Sequence, residues 1–351
     1  MKRSSQAQRD ERVTDAATTR RPGGGETLLE VDDLAVEFDS ERGVVRAVNG
    51  VSFQVRAGET LAIVGESGSG KSVTIQAVMG SIPIPPGRIA SGAVRYRGRD
   101  LLTMAPSERR KLRGSRISMV TQDALTALNP TLTVGFQIGE MYRIHQGLSR
   151  KASRDRAVEM LRRVHIPDAE NRVRQYPHQF SGGMQQRVMI AMALALDPEI
   201  VIADEPTTAL DVTVQAQIMD LLEELQASIG MALVLITHDL ALVSGSADRI
   251  GIMYGGRLVE AGTVPDVFHR PSHPYTRGLM HSVPGNARRA EDLHPIPGRP
   301  PDLVSLPPGC AYAPRCDRAE QRCVESVPPL VEVVPGRTSA CFFADEEYHD
   351  A

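Results

Sequence analysis

The chain has 351 residues, of which 41% are hydrophobic and 24% charged, close to the average of globular proteins, so the composition excludes wholesale disorder. The formal net charge of −3 excludes the strong positive charge typical of nucleic-acid-binding proteins, and no nucleic-acid partner is expected. No stretch approaches the roughly 20 apolar residues of a membrane span, and the N-terminus lacks the apolar segment of a secretory signal. We therefore expect a soluble, cytosolic protein.

The N-terminal part of the chain is a polar tail followed by strands. Residues 1–28 are polar and contain the sequence PGGG at 22–25, so we expect them to form a disordered tail. Beyond the tail, short apolar runs broken by glycine and charge predict strands. These runs are LLEVDDLAVEF (28–38), VVRAVNGVSFQV (44–55) and ETLAIVG (59–65).

The middle of the chain alternates helices and strands. Residues 151–166 have apolar side chains at helical spacing. The runs IVIAD (200–204) and ALVLIT (232–237) are apolar almost throughout, as in strands buried on both faces of a parallel sheet, and an amphipathic helix is expected between them. This strand–helix–strand order predicts an α/β fold. After residue 266 prolines recur, so we expect a loop-rich extension without long helices.

Residues 65–72, GESGSGKS, match the phosphate-binding pattern G-x-x-x-x-G-K-[ST] between an apolar strand and a predicted helix. In that setting, backbone N–H groups and a helix N-terminus both face the anion. Lys71 would neutralise the β- and γ-phosphates of a nucleotide, and Ser72 would bind Mg²⁺. A chance match is disfavoured because only four of the 40 basic residues are lysines. The predicted nucleotide-binding residues are Gly65, Ser67, Gly68, Ser69, Gly70, Lys71, Ser72 and the next position, Val73.

Two acidic residues end the strand at 200–204. Asp204 and Glu205 would lie at the carboxyl edge of the sheet, beside the phosphate-binding loop. Asp204 would hold Mg²⁺, directly or through water, and Glu205 would activate the attacking water as a general base. The alternative is a strand that ends in a solvated turn. The phosphate-binding loop favours the functional interpretation.

A second candidate anion site begins another apolar helix. Residues 181–187, SGGMQQR, place a serine hydroxyl and glycine N–H groups at a predicted helix N-terminus. With one phosphate-binding loop in the chain, a second such site suggests a nucleotide held between two chains. The alternative is a helix for which Ser181 is only the N-cap.

These motifs together resemble the ATP-binding subunit of ABC transporters over about residues 30–265. The resemblance implies a P-loop ABC ATPase domain at 29–265, with a mixed sheet core and a helical subdomain at about 123–195. It implies that residues 65–72 are the Walker A motif, that Asp204 closes Walker B and that Glu205 is the catalytic carboxylate. The implied ligands are ATP and Mg²⁺.

The resemblance also implies roles for residues outside these motifs. Ser181–Gln185 matches the signature motif, and Asp211 matches the D-loop, which crosses the dimer interface. Gln122 matches the Q-loop, which contacts Mg²⁺ and senses the membrane subunit, and His238 matches the switch histidine at the γ-phosphate. Phe38 aligns with the aromatic residue that stacks on adenine, although its alternative is a core strand residue. The implied catalytic residues are Glu205, His238, Lys71 and Gln122.

The C-terminal extension at 266–351 resembles that of oligopeptide/dipeptide importer ATPases. The matching segments are HPYTRGL (273–279), PIPG (295–298) and GCAYAPRC (309–316). The resemblance implies an ATPase that powers import of dipeptides or oligopeptides across the cytoplasmic membrane. Importers of nickel and other small solutes share this layout, so the cargo stays open. A soluble ABC ATPase outside transport is a further alternative, disfavoured by the absence of tandem cassettes and coiled-coil insertions.

All four cysteines fall in the extension, at 310, 316, 323 and 341. In a reducing compartment their clustering favours a metal or cluster site over disulfides. Four thiolates can bind a [4Fe–4S] cluster or zinc, but the short Cys pairs typical of structural zinc sites are missing. Similar importer subunits carry an iron–sulfur cluster here, so the resemblance implies a [4Fe–4S] cluster; zinc and free thiols stay open.

The resemblance further implies partners and a location. The chain is expected on the cytoplasmic face of the membrane, as a peripheral protein bound to two membrane-spanning permease subunits. A second ATP-binding subunit, identical or related, would complete the two nucleotide sites. A peptide-binding protein would deliver cargo on the other side of the membrane.

Overall fold

The computed structural model describes residues 25–208, 210–282 and 296–344. The predicted N-terminal tail lies outside these residues except for 25–28, where strand β1 already begins. The strands are β1 (Thr27–Ser40), β2 (Gly43–Arg56), β3 (Thr60–Val64), β4 (Gly87–Tyr96), β5 (Arg99–Asp100), β6 (Ile117–Val120), β7 (Ile200–Asp204), β8 (Ala232–Thr237), β9 (Arg249–Tyr254), β10 (Arg257–Thr263), β11 (Val331–Val334) and β12 (Arg337–Ser339). The α-helices are α1 (Lys71–Met79), α2 (Pro106–Leu112), α3 (Ala124–Ala127), α4 (Val134–Gln146), α5 (Arg150–Arg163), α6 (Ala169–Arg172), α7 (Gly182–Leu194), α8 (Val212–Ile229), α9 (Leu240–Ser246), α10 (Val264–His269), α11 (Pro274–His281) and α12 (Gln321–Glu325).

The strands form two sheets. The smaller is antiparallel, in the order β2-β1-β4-β5, and the larger is mixed, in the order β11-β12-β10-β9-β3-β8-β7-β6. Strands β9, β3, β8, β7 and β6 are parallel neighbours, whereas β10, β12 and β11 add antiparallel pairs at one end. The predicted α/β class with a mixed sheet core is confirmed.

Strands β7 and β8 are buried on both faces. Along β7, Ile200 and Ile202 pack against the antiparallel sheet and α1, whereas Val201 and Ala203 pack among the helices on the other side. Every residue of both strands is buried. This double burial explains why their sequences are apolar without alternation.

The helices between β6 and β7 form a separate layer. Helices α4, α5 and α7 pack on one another, and α7 also packs on α8, with Ile138, Leu161 and Ile190 fully buried among them. Serine or threonine side chains cap each of the three helices: Thr133, Ser149 and Ser181 accept hydrogen bonds from the first-turn backbone. Helix α5 occupies most of the predicted helix at 151–166 but ends at Arg163.

The C-terminal extension is built of short helices and a hairpin, as its prolines predict. The sequence did not indicate that the hairpin joins the main sheet: β12 pairs with β10, with Glu260 opposite Ser339. The Glu260 carboxylate is fully buried and accepts hydrogen bonds from the backbone N–H groups of Ser272 and His273, at 2.8 and 2.9 Å, and from Arg337 at 3.1 Å. This carboxylate therefore ties the start of α11 to the sheet, although burial raises its pKa.

Within the described ranges, with their gaps at 209 and 283–295, no helix combines the length and the apolarity that crossing a bilayer requires.

Candidate phosphate-binding and hydrolytic site

The candidate residues come together at one edge of the larger sheet. The loop 65–70 follows β3, Asp204 ends β7, His238 follows β8 and Gln122 lies shortly after β6. These four strands are parallel and adjacent, so their carboxyl ends open at the same edge.

The loop between β3 and α1 is shaped by close backbone approach. Gly70 has a φ of 103° at the start of α1, and a Cβ there would lie 2.4 Å from the Ala47 carbonyl oxygen. A Cβ on Gly65 would lie 2.2 Å from the Met253 carbonyl oxygen. Any side chain at either position would force the loop away from β2 or β9, which explains the glycines of the pattern. Ser67, Gly68 and Ser72 are exposed there, while Val73 is half-buried against the core.

Lys71 is held inside this loop. Its side chain is buried, and Nζ donates hydrogen bonds to the carbonyl oxygens of Gly65, at 2.7 Å, and Glu66, at 3.0 Å. Burial lowers the pKa of Lys71, while the nearby carboxylates of Glu205, Asp204 and Glu66 act to raise it. The ammonium group therefore lies among three acidic side chains at the mouth of the loop.

Asp204 and Ser72 form the candidate Mg²⁺ pair. The Ser72 hydroxyl lies 3.4 Å from Asp204 Oδ1, and Asp204 is buried. Burial raises the pKa of Asp204, with the Ser72 hydroxyl opposing this effect and the charge of Glu205 adding to it. Within the described chain, the buried Ser69 hydroxyl also has no hydrogen-bond partner. The Ser72 hydroxyl and the Asp204 carboxylate are oxygen ligands of the kind that Mg²⁺ prefers. The Ser69 hydroxyl can donate a hydrogen bond to a phosphate.

Glu205 is fixed by three side chains. Its carboxylate lies 3.0 Å from His238 Nδ1 and accepts hydrogen bonds from Gln122 Nε2, at 3.0 Å, and Thr208 Oγ1, at 2.9 Å. The Glu205 backbone has a positive φ of 47°, and its N–H donates to the Ile236 carbonyl oxygen on β8. Burial acts to raise the pKa of Glu205, but the hydrogen bonds from His238 and Thr208 and the charges of His238 and Lys71 together outweigh it, so the pKa is lowered. The carboxylate is therefore kept ionised and aimed by its neighbours.

The signature candidate Ser181–Gln185 lies in a different part of the molecule. It opens α7, in the helical layer, whereas α1 belongs to the core beneath the antiparallel sheet. Ser181 and Gly182 are exposed, and the Ser181 hydroxyl accepts a hydrogen bond from the Met184 N–H at 3.4 Å. Gln185 is instead buried and donates to the carbonyl oxygens of Pro177 and Phe180. The exposed start of α7 is thus available to another chain, while Gln185 supports the helix.

Two other candidates occupy ordinary structural positions. Asp211 is exposed and caps α8, accepting a hydrogen bond from the Val214 N–H at 3.0 Å. Phe38, on β1, is half-buried against the core, with its ring edge 2.9 Å from where a Cβ on Gly87 would lie.

All four cysteines line one small pocket together with His273, Tyr312 and Phe343. The pocket has a volume of about 20 Å³, room for about one water molecule. Burial raises the pKa of Cys310 and of Cys316, and that of Cys341 to about 11. In the part of the chain that the structure describes, no three His, Cys, Asp or Glu side chains are arranged to hold a metal ion. The four thiols line one pocket, but the described residues show no arranged metal site, so the expected iron–sulfur cluster stays a prediction.

Sequence reasoning missed two contributions to this site. Thr208 donates to Glu205, and the T-T pair that follows Glu205-Pro206 is the only local signal that could have suggested it. Arg315 and Tyr275, both from the C-terminal extension, contact Glu66 in the phosphate-binding loop. No spacing in the sequence connects positions that far apart.

Comparison with known families gives two matches along the chain. The sequence profile of the family described as ABC transporter matches residues 48–208. The profile described as "Oligopeptide/dipeptide transporter, C-terminal region" matches residues 259–323. The first covers the phosphate-binding loop, Gln122, the start of α7 and Asp204-Glu205, and the second covers Arg315 and the first three cysteines.

Similar proteins align along nearly the whole chain. The chain is 48% identical over 326 residues to the dipeptide transport ATP-binding protein DppD of Bacillus subtilis, covering 93% of this chain and 97% of that protein. It is 50% identical over 322 residues to the oligopeptide transport ATP-binding protein OppD of Escherichia coli, covering 92% and 95%.

A solved structure shares the cassette. The post-hydrolysis dimer of the ATP-binding cassette MJ0796, bound to ADP and Pi, superposes with a TM-score of 0.61 at 28% identity, covering 68% of this chain and 99% of that one.

The hydrogen bond from Thr208 predicts a measurable shift in Glu205. A hydrogen bond to a carboxylate favours its ionised form, so Thr208→Val raises the pKa of Glu205 and the carboxyl becomes protonated at a higher pH than in the wild type. Carbon-13 NMR of glutamate side-chain carboxyls checks this, with the Glu205 signal identified by its loss in Glu205→Gln. Thr208→Ser keeps the hydroxyl and leaves the pKa in place; an unchanged pKa in Thr208→Val contradicts the interpretation.

Proposed function

The chain belongs to the ABC transporter ATP-binding proteins that carry the oligopeptide/dipeptide transporter C-terminal region, and on that basis we propose that it powers the import of dipeptides or oligopeptides by hydrolysing ATP. The observation that carries the proposal is the presence of both parts in one chain: a phosphate loop with its Asp-Glu pair, and the importer-type extension. Alignment with DppD and OppD over more than nine-tenths of the chain supports it.

For nucleotide binding, the proposed residues are those of the loop between β3 and α1. The backbone N–H groups of 65–70 and the N-terminus of α1 bind the phosphates, and Lys71 exchanges its loop carbonyl contacts for phosphate oxygens. Ser72 and Asp204 would hold Mg²⁺, whose charge offsets that of the phosphates. Phe38 is the proposed contact of the adenine ring.

For hydrolysis, Glu205 is the proposed general base. It removes a proton from the attacking water, and the lowered pKa keeps it ionised beforehand. Gln122 and His238 position its carboxylate, and His238 also reaches the γ-phosphate in this proposal. Because Gln122 lies at the start of the helical layer, movement of that layer would change the hydrogen bonding of the base.

The complete site is proposed to need two chains. The exposed start of α7 at Ser181 would bind the γ-phosphate held by the phosphate loop of a partner ATPase, identical or related, and Asp211 would lie at the interface. The dimeric form of the similar cassette MJ0796 supports this arrangement.

The remaining partners follow from the importer proposal. Residues 29–265, with the helical layer at about 123–195, form the nucleotide-binding domain, and 266–351 form the importer extension. Two permease subunits hold the chain at the cytoplasmic face of the membrane, and a peptide-binding protein delivers cargo from the other side.

For the cysteine pocket, a [4Fe–4S] cluster is proposed over zinc and over free thiols. The donor set supports it, because four thiols line one pocket. The small volume of that pocket means that its lining must rearrange to admit a cluster, and the raised pKa values of Cys310, Cys316 and Cys341 mean that cluster binding must release protons. A cluster there would supply a rigid cross-link for the proline-rich extension.

The importer proposal predicts the proteins that bind this chain. Affinity purification from detergent-solubilised membranes should retain two polytopic membrane proteins, a second ATPase and a peptide-binding protein. A tagged soluble protein of similar size serves as the control. Recovery of ribosomes or DNA-repair factors, or of no membrane protein, would contradict the transport assignment but not the ATPase chemistry.

The base assignment predicts that Glu205→Gln lowers ATP turnover by about 10²–10⁴-fold, because the amide cannot accept the proton of the water. ATP should then stay bound, and an ATP-dependent dimer should accumulate in size-exclusion chromatography. Glu199→Gln makes the same change just before β7, away from the loop, and should hydrolyse ATP normally. Unchanged turnover in Glu205→Gln would remove Glu205 as the base.

The cluster proposal predicts that protein purified without oxygen is brown and contains about four irons per chain. Cys341→Ser should lose most of this iron, because it removes one of the four thiols. Colourless, iron-free protein would instead favour zinc or free thiols, which a zinc assay separates.

A further inference from the structure

The C-terminal extension reaches into the phosphate-binding loop through Arg315. This residue lies just before Cys316, and its guanidinium group forms two parallel bonds with Glu66: Nη1 to Oε2 at 2.8 Å and Nη2 to Oε1 at 3.0 Å. The Arg315 side chain is only 5% exposed. A bidentate pair of this kind fixes both the charge and the direction of the carboxylate.

Arg315 is itself held rigidly. Its Nε donates to the Pro297 carbonyl oxygen at 2.7 Å, and Nη1 also donates to the Tyr254 hydroxyl at 3.2 Å. The rings of Tyr254, Tyr275 and Tyr312 pack on one another with centroids 4.5 to 5.4 Å apart. The end of β9, helix α11 and the cysteine segment thus form one packed unit behind the loop.

Glu66 is bound on three sides by this unit and by the loop. Its backbone N–H donates to the Tyr275 hydroxyl at 2.9 Å, its carboxylate pairs with Arg315, and its carbonyl oxygen accepts a hydrogen bond from Lys71 Nζ at 3.0 Å. Glu66 therefore lies between the extension and Lys71. It places a negative charge within a loop that is proposed to bind an anion.

We propose that Arg315 is a positioning residue for ATP, a role that rests on the proposed function as an ATPase. Arg315 neutralises Glu66 and holds the Glu66 carboxylate toward the extension. Without Arg315, Glu66 would repel the phosphates and compete with them for Lys71, since like charges a few ångströms apart in a half-buried site repel strongly. The C-terminal extension thereby sets the affinity of the nucleotide site.

A merely structural ion pair makes a different prediction. If Arg315 only anchored the extension, its loss would loosen the loop whatever the charge on Glu66. If it neutralises Glu66, removing that charge should make Arg315 dispensable for ATP binding. The two roles therefore separate in a double-mutant cycle.

The test measures the dissociation constant of MgATP for the full-length wild type, Arg315→Gln, Glu66→Gln and the double variant. We expect Arg315→Gln to weaken binding about tenfold and Glu66→Gln to bind at least as tightly as the wild type. The double variant should return to within about threefold of the wild type. A double variant as weak as Arg315→Gln would overturn the proposal.

Two variants calibrate the cycle. Arg277→Gln disrupts another Arg–carboxylate pair of the extension, with Asp317 at 2.7 Å, and should leave MgATP affinity unchanged. Lys71→Ala removes the phosphate-binding lysine and defines the affinity of a disabled site. If Arg315→Gln does not fold, Glu66→Gln alone decides: weaker binding than the wild type overturns the proposal, and equal or tighter binding supports it.

The same measurement distinguishes a failure of the Arg315 proposal from a failure of the ATPase proposal. A wild type that binds no MgATP would contradict the ATPase proposal and this inference together. A wild type that binds MgATP, with Arg315→Gln binding equally well, would overturn the inference and leave the ATPase proposal standing.

Discussion

The site depends on one constraint, the parallel alignment of β3, β8, β7 and β6. Parallel strands end at the same edge, so four loops that are distant in sequence meet there without any further arrangement. Both faces of these strands must be covered, and the antiparallel sheet on one side and the helical layer on the other provide that cover. Because the helical layer is inserted between β6 and β7, its position is mechanically tied to Gln122 and Glu205, the groups on either side of the insertion.

Charge is the second organising factor. Lys71 lies among Glu66, Asp204 and Glu205, and the cations Lys71 and Arg315 leave one net negative charge in this group of five. An anionic ligand is favoured there only if that charge is offset by the N-terminus of α1, by a bound cation or by another chain. A metal ion bound at Ser72 and Asp204 would therefore favour an anionic ligand in this loop.

The predictability of each part follows from how local its signal is. Strands β7 and β8 could be predicted because burial on both faces makes a short, continuous apolar run. The phosphate-binding loop could be predicted because its backbone lies so close to β2 and β9 that glycine is required at fixed positions of an eight-residue pattern. The pairing of β12 with β10 could not, because a long stretch of chain separates the two strands and neither carries a partner-specific pattern. Nor could Arg315 with Glu66, which are 249 positions apart and paired only through the tertiary fold.

The extension therefore has a physical connection to the site and is not simply appended to it. Glu260, buried on β10, fixes the start of α11 by two backbone hydrogen bonds, and α11 carries Tyr275 to the loop. Tyr312 lies between Cys310 and Cys316, in the same turn as Arg315, so the geometry of the cysteine pocket and that of Glu66 share one short segment. A change in the spacing of those sulfurs would have to be absorbed within residues 310–316. It would reach the loop directly through Arg315 and, by way of the packed tyrosine rings, through Tyr275.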